Sequence, residues 1–154
     1  MPDSIAHRDE ALAFLERQFG IAREALADLT LIDRGDEIWA CRSAPPAGLV
    51  PARPGGLRAL RRQADGLKPT STFLTVLGDR ITASRLDLDP AALRQALLGR
   101  RIPVLPGQAD GYFALCFRGD VVGCAKVRSG SAQALLPTGR RRELLAALAV
   151  DPRS

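Results

Sequence analysis

Three consecutive arginines, Arg140, Arg141 and Arg142, follow Pro137-Thr138-Gly139 and lead into Leu144, Leu145 and Leu148. The leucine spacing is helical, so the arginines fall in the first turn of a C-terminal helix, with Thr138 as its expected N-cap. Cations at that end oppose the helix dipole by about 0.3–1 kcal/mol each. The unpaired N–H groups of a helix start suit an anion instead. The chemistry this combination favours is the holding of phosphate; the alternative is a solvated basic cap.

Lys126 and Arg128 alternate along 121–128 and by period two share a face with Val122 and Cys124. The Ser129-Gly130 turn leads from them through a further strand to the arginine triplet. The expectation is one connected basic surface of Lys126, Arg128, Arg140, Arg141 and Arg142, extended by Arg100 and Arg101. An exposed strand edge guarded by charge is the competing explanation. Lys68 precedes Pro69 and the expected N-cap Thr70, which places one more cation beside a helix start. Trp39 and Tyr112 sit in strand patterns that assign them to core or partial core. That argues for recognition by shape and backbone over a stacking platform for single strands.

Lysine and arginine total 22 against 17 acids, giving a net charge of +5. Between Val121 and Val150 the only acid is Glu143, and only Lys68 and Lys126 of the basic residues are lysines. Arginine suits bidentate phosphate contact, although a GC-rich coding sequence produces the same bias. Hydrophobic residues at 46% and charged residues at 25% describe a globular chain. No apolar run approaches the roughly 20 residues that span a bilayer, and no secretory leader is legible. Cys41, Cys116 and Cys124 are odd in number and far apart, and His7 is the single histidine. Closely spaced metal-ligand pairs are missing, so three reduced, half-buried thiols in a cytoplasmic protein are expected, with no metal and no cofactor. There is no G-x-S-x-G, P-loop or G-x-G-x-x-G, so no catalytic residue is assigned. His7 reads as a surface residue near a frayed terminus.

The elements that must position these residues read as follows. A helix over 3–19 is expected from Ile5, Leu12, Leu15 and Phe19, with Gly20 as its stop. A short helix follows over 23–29. A hairpin is expected from 29–32 and 37–41 around Asp33-Arg34-Gly35-Asp36. The connection over 43–56 is rich in proline and glycine. Residues 57–62 read as a strand or a turn of helix. Thr70 caps a helix that stops at Gly78. A strand over 81–88 precedes an Asp89-Pro90 helix start and a stop at Gly99. Residues 102–110 read as loop. A meander of 112–117, 121–128 and 132–136 turns at Gly119-Asp120 and Ser129-Gly130.

The stretch from Ile81 to Arg142 resembles a PUA domain, an RNA-binding module. The resemblance rests on an entering strand, an acid-capped helix ending at Leu98-Gly99-Arg100, Gly111-Tyr112, and Val122-Gly123-Cys124-Ala125-Lys126-Val127. The chain is also similar to the C-terminal RNA-binding region of Sun-type rRNA cytosine-5 methyltransferases and to related stand-alone archaeal proteins. There Leu136-Pro137-Thr138-Gly139-Arg140-Arg141 occupies the place of a Pro-Lys-Gly-x-Arg-like segment, with Thr138 for the usual lysine. The Phe14–Ile21 segment, the Trp39 strand and Lys68-Pro69-Thr70 fit the same comparison. The resemblance implies an α+β fold: an N-terminal α/β segment, 1–78, packed on a C-terminal PUA-like mixed β-barrel with flanking helices, 79–154. It implies binding of structured tRNA or rRNA, accessory to RNA modification or ribosome biogenesis, with a separate RNA-modifying enzyme as the partner to which RNA would be brought. Lys68, Arg100, Arg101, Lys126, Arg128, Arg140, Arg141 and Arg142 would contact RNA, and Gly123 would let its backbone come close. The cofactor domain of the methyltransferases is not in this sequence, and none of the three cysteines follows threonine or proline as theirs does. No activity of its own is therefore expected. The alternative is a protein-docking module for a separate methyltransferase.

Overall fold

A computed structural model describes residues 2–42 and 56–153, with side chains from His7 onward in the first helix. Most of the 43–56 connection therefore lies outside the described residues, as does the Ile5 side chain. The chain is mixed helix and sheet, an α+β fold. Helix α1 (Pro2–Phe19) buries Ala11, Leu12, Leu15 and Phe19, one apolar stripe at helical spacing. Gly20 ends it at φ +64, and the Ile21 N–H turns back to the Leu15 carbonyl. A Cβ at Gly20 would lie 2.2 Å from Thr82 Oγ1, so close approach as well as left-handed backbone requires glycine here. The second short helix is reduced to a 3-10 turn, Arg23–Leu26.

The first sheet is antiparallel in the order β1 (Thr30–Arg34), β2 (Glu37–Cys41), β3 (Leu57–Gln63), β4 (Gly66–Pro69). The β1–β2 hairpin forms as its loop sequence requires. Residues 57–63 are strand, paired on both sides. His7 is not on a frayed end. It meets the Asp33 carboxylate, which also accepts from Arg62 at 3.1 Å and from the Gly35 N–H at 2.9 Å. This ties α1 to the first hairpin.

Helix α2 (Ser71–Leu77) carries the expected cap: Thr70 Oγ1 accepts from the Phe73 N–H at 3.1 Å. The expected strand over 81–88 shrinks to β5 (Arg85–Asp87). The reason lies in the backbone bonding: the N–H groups of Thr82 and Ala83 both donate to the Phe19 carbonyl at the end of α1. Helix α3 (Pro90–Leu97) starts on Asp89, whose carboxylate accepts from the Ala92 N–H at 2.7 Å. Residues 102–110 are not all loop, because β6 (Ile102–Pro103) pairs with the last strand. Its proline sits on an edge, where a missing donor is tolerated.

The second sheet curls into a half-barrel. It comprises β5, β7 (Gly111–Phe117), β8 (Asp120–Arg128), β9 (Ser131–Ala134) and β6, in that order. Only β5 and β7 run parallel. The β7–β8 turn is Arg118-Gly119, one residue earlier than expected, since Asp120 already pairs with Phe117. Both turn residues have positive φ, 51 and 86, the twist that suits a two-residue hairpin. Helix α4 (Thr138–Val150) follows. Thr138 lies inside it and no side chain caps it; Pro137 takes the N-cap position. At its far end Asp151 accepts from the Arg153 N–H and from Arg118, and these contacts hold its carboxyl down at about 2.

The second sheet separates two cores. One joins α1, the first sheet and α2 to Tyr112, Ala114, Cys116, Val121 and Cys124. The other lies wholly within 86–148, under α3 and α4. The 1–78 segment therefore completes its core only against residues of 79–154. A bulge decides which side chains face which core. Leu115 pairs with Gly123 and Cys116 with Val121, so Val122 is the extra residue. It joins the second core while Cys124 faces the first, which corrects the expectation that the two share a face.

Cys116 and Cys124 are fully buried, more deeply than expected for half-buried thiols. Burial pushes the Cys124 thiol up to about 12. A maleimide at about pH 8 should leave both unmodified in the folded protein and modify both after unfolding. Modification of native Cys124, read by mass spectrometry, would contradict this burial. Because the folded pKa of Cys124 is raised, its contribution to stability is complete below about pH 9 and is lost as pH rises through about 12.

Candidate nucleic-acid interface

A cavity of about 500 Å³ opens where the first sheet meets the exit of β9. Arg58, Arg61 and Lys68 form one wall, Leu135, Leu136 and Pro137 the other, with Thr70, Ser71 and Thr72 between them. A second cavity, about 290 Å³, shares Ser71, Thr72, Leu136 and Pro137 and adds Arg140. The two form one groove running from Lys68 to Arg140 across the start of α2.

The cations of the first wall are placed by strand register. Arg61 and Lys68 are direct partners across β3 and β4. Ile38 pairs with Leu60 and Trp39 with Arg58, so Ala59 is a bulge. The bulge returns Arg58 to the outward face while Ala59 and Leu60 both stay buried. Period-two reading would separate Arg58 from Arg61, so this wall was not legible in the sequence. Glu37 accepts from Arg58 at 2.8 Å and from the Trp39 indole at 3.1 Å, and lies 3.7 Å from Arg61. These bonds, Arg58 first, hold its carboxyl below the usual range. Among the described residues one carboxylate stands against three cations, which leaves the wall positive. In the adjoining cavity Arg140 pairs, among the described residues, with Glu143 at 3.1 Å. Such an exposed pair contributes at most about 1 kcal/mol, so phosphate can displace it.

The nine expected RNA-contacting residues do not form one surface. Lys68 lines the larger cavity and Arg140 the smaller one that adjoins it. Lys126 lies over the Tyr112 ring at 5.3 Å and 3.7 Å from Asp65, on the first-core face of the second sheet. Arg128 is exposed at the end of the same strand. Arg141 turns inward over the second core: its guanidinium donates to the carbonyls of Leu136 at 3.0 Å and Ala134 at 3.2 Å, beside Gly99. Arg100 bonds Gln95 at 2.7 Å, and Arg101 and Arg142 are exposed. A continuous surface from Lys126 to Arg142 is therefore corrected to separate sites on the two faces of the sheet. Arg141→Ala should lower stability by about 1–3 kcal/mol through its two orphaned carbonyls. Arg142→Ala should stay within about 0.5 kcal/mol of the parent. Urea midpoints distinguish them, and equal midpoints would refute an inward role for Arg141.

Gly123 also has a different role. It is buried, and a Cβ there would lie 2.4 Å from Leu136 Cδ2, 2.9 Å from Leu136 Cγ and 3.2 Å from Ser71 Oγ. The close approach it permits is that of Leu136, not of a ligand. Ser71 seals the same place. Its hydroxyl donates to the Leu135 carbonyl at 3.0 Å and accepts from the Cys124 N–H at 2.9 Å, which fixes α2 against β8 and the end of β9.

Among the described residues no group of three His, Cys, Asp or Glu side chains is placed to hold a metal ion, and no helix is long and apolar enough to cross a membrane. No family model matches the sequence, and no curated protein matches it significantly.

Proposed function

We propose that this protein binds structured RNA, tRNA or rRNA, by its phosphate backbone, and that it assists RNA modification or ribosome biogenesis without a catalytic step of its own. The observation that carries this reading is the groove, floored largely by apolar side chains, along which Arg58, Arg61 and Lys68 lie at one end and Arg140 at the other. The uncapped start of α4, with no acid in its first turn, lies at the same wall. Its open N–H groups favour an anion. The run of entering strand, acid-capped helix and three-stranded meander supports a PUA-like barrel for 79–154, with 1–78 supplying the opposite wall of the groove.

The test is a titration against folded tRNA at several salt concentrations. Four phosphate contacts give a slope of log affinity against log salt of roughly −3 to −4. Binding that is absent at low salt, or that does not weaken with salt, would reject the reading. Nuclease treatment during co-purification separates it from protein docking: a methyltransferase held directly stays bound after RNA digestion, whereas one held through RNA is released.

A further inference from the structure

Trp39 is the only tryptophan in the chain, and it belongs to neither core. It lies on the outward face of β2, between Ile32 on β1 and Arg58 on β3. The next rung across the same face is Arg34, Glu37, Arg61 and Lys68. Large aromatic side chains are ordinarily buried for their apolar area, so a tryptophan left only partly buried, outside both cores and beside cations, is a costly placement. Its indole N–H donates to Glu37, the carboxylate that also holds Arg58, so ring and guanidinium share one anchor.

We infer that this sheet face takes an unpaired nucleotide, its base stacked on Trp39 and its flanking phosphates on Arg58, Arg61 and Lys68. The inference rests on the RNA-binding reading and narrows it, from structured RNA in general to structured RNA that presents an unpaired loop or bulge. Two properties of the face select this occupant. A π-surface with adjacent cations suits a base, which every nucleotide offers, and base–aromatic stacking needs no particular sequence. In a duplex the bases are stacked on one another and their faces are closed to Trp39. The same three cations wall the groove, so phosphates on either side of a stacked base continue directly into it.

The single tryptophan makes the test direct. Tryptophan fluorescence is followed while the protein is titrated with a hairpin RNA carrying an oligouridine loop, and with a blunt RNA duplex of equal nucleotide count. The hairpin should quench the emission and the duplex should not. Trp39→Ala should bind the hairpin about ten- to a hundredfold more weakly and lose far less affinity for the duplex. Trp39→Phe should retain most of the hairpin affinity, and circular dichroism checks that each variant folds. Unchanged emission at hairpin saturation, or a folded Trp39→Ala that binds the hairpin as the parent does, overturns the inference and leaves the RNA-binding reading standing. If Trp39→Ala does not fold, the emission of the parent and the affinity of Trp39→Phe decide. Failure of both RNAs to bind at low salt overturns the two together.

Discussion

Reversing the charge at Arg58, Arg61 and Lys68 together should lower affinity for folded tRNA by about two to three orders of magnitude at ~0.1 M salt. Each phosphate contact contributes a slope of about 0.9 in log salt, which at that concentration is close to tenfold in affinity. Removing three should also flatten the salt dependence by roughly 2 to 3. The side chains of Arg58 and Arg61 are 45% and 51% exposed, and neither contributes to a core, so the fold should survive. Glu37 would lose both of its cationic partners, at the modest cost of surface pairs. Filter binding or anisotropy reads the affinity, and thermal melting reads the fold. The companion variant reverses Arg140 and Arg142 and leaves Arg141 intact. It should act through Arg140 alone, with a loss near tenfold. If the companion variant abolishes binding while the triple variant binds as the parent does, the groove wall on β3 and β4 is not the interface.

Gly123→Ala should destabilise the protein by about 1–3 kcal/mol, because the added methyl overpacks a filled site. The methyl would meet not only the tip of Leu136 but its Cγ at 2.9 Å, so a rotamer change alone does not clear it. Displacing Leu136 also disturbs the Ser71 hydroxyl between the Leu135 carbonyl and the Cys124 N–H. For a chain of this size the midpoint of thermal unfolding should fall by about 3–10 °C. Leu136→Ala alone should cost about 2–5 kcal/mol. The double variant should be less destabilised than the sum, since the space vacated by leucine accepts the methyl, with a coupling of about 0.5–3 kcal/mol. Strict additivity would show that Gly123 and Leu136 do not compete for the same volume. RNA affinity of Gly123→Ala, measured well below its melting temperature, should match the parent. A large loss there would return Gly123 to the ligand.

Local chemistry made much of the fold readable. Thr70 and Asp89 cap helices because their oxygens match orphan N–H groups two or three residues on. Gly20 and the Ser129-Gly130 turn are set by backbone conformations that few residues adopt. The strand expected over 81–88 is confined to 85–87 because Thr82 and Ala83 bond to the end of α1, far away in sequence, where no local pattern reaches. The placement of Trp39 shows the same limit from the other side. Alternation along β2 marks two faces, but not which of them another layer will cover.

The basic composition, the Thr70 and Asp89 helix starts, the meander and the arginines near the start of α4 were determined by the sequence alone, because each depends on neighbours within a few residues. Which cations share a surface was decided only by the tertiary structure. Two bulges, at Ala59 and Val122, change the side of the sheet on which the following residues emerge. Arg58 thereby joins Arg61 and Lys68, and Lys126 comes to lie on the opposite face of the sheet from Arg141. A bulge is set by pairing between strands, and pairing is a property of the assembled sheet rather than of either strand.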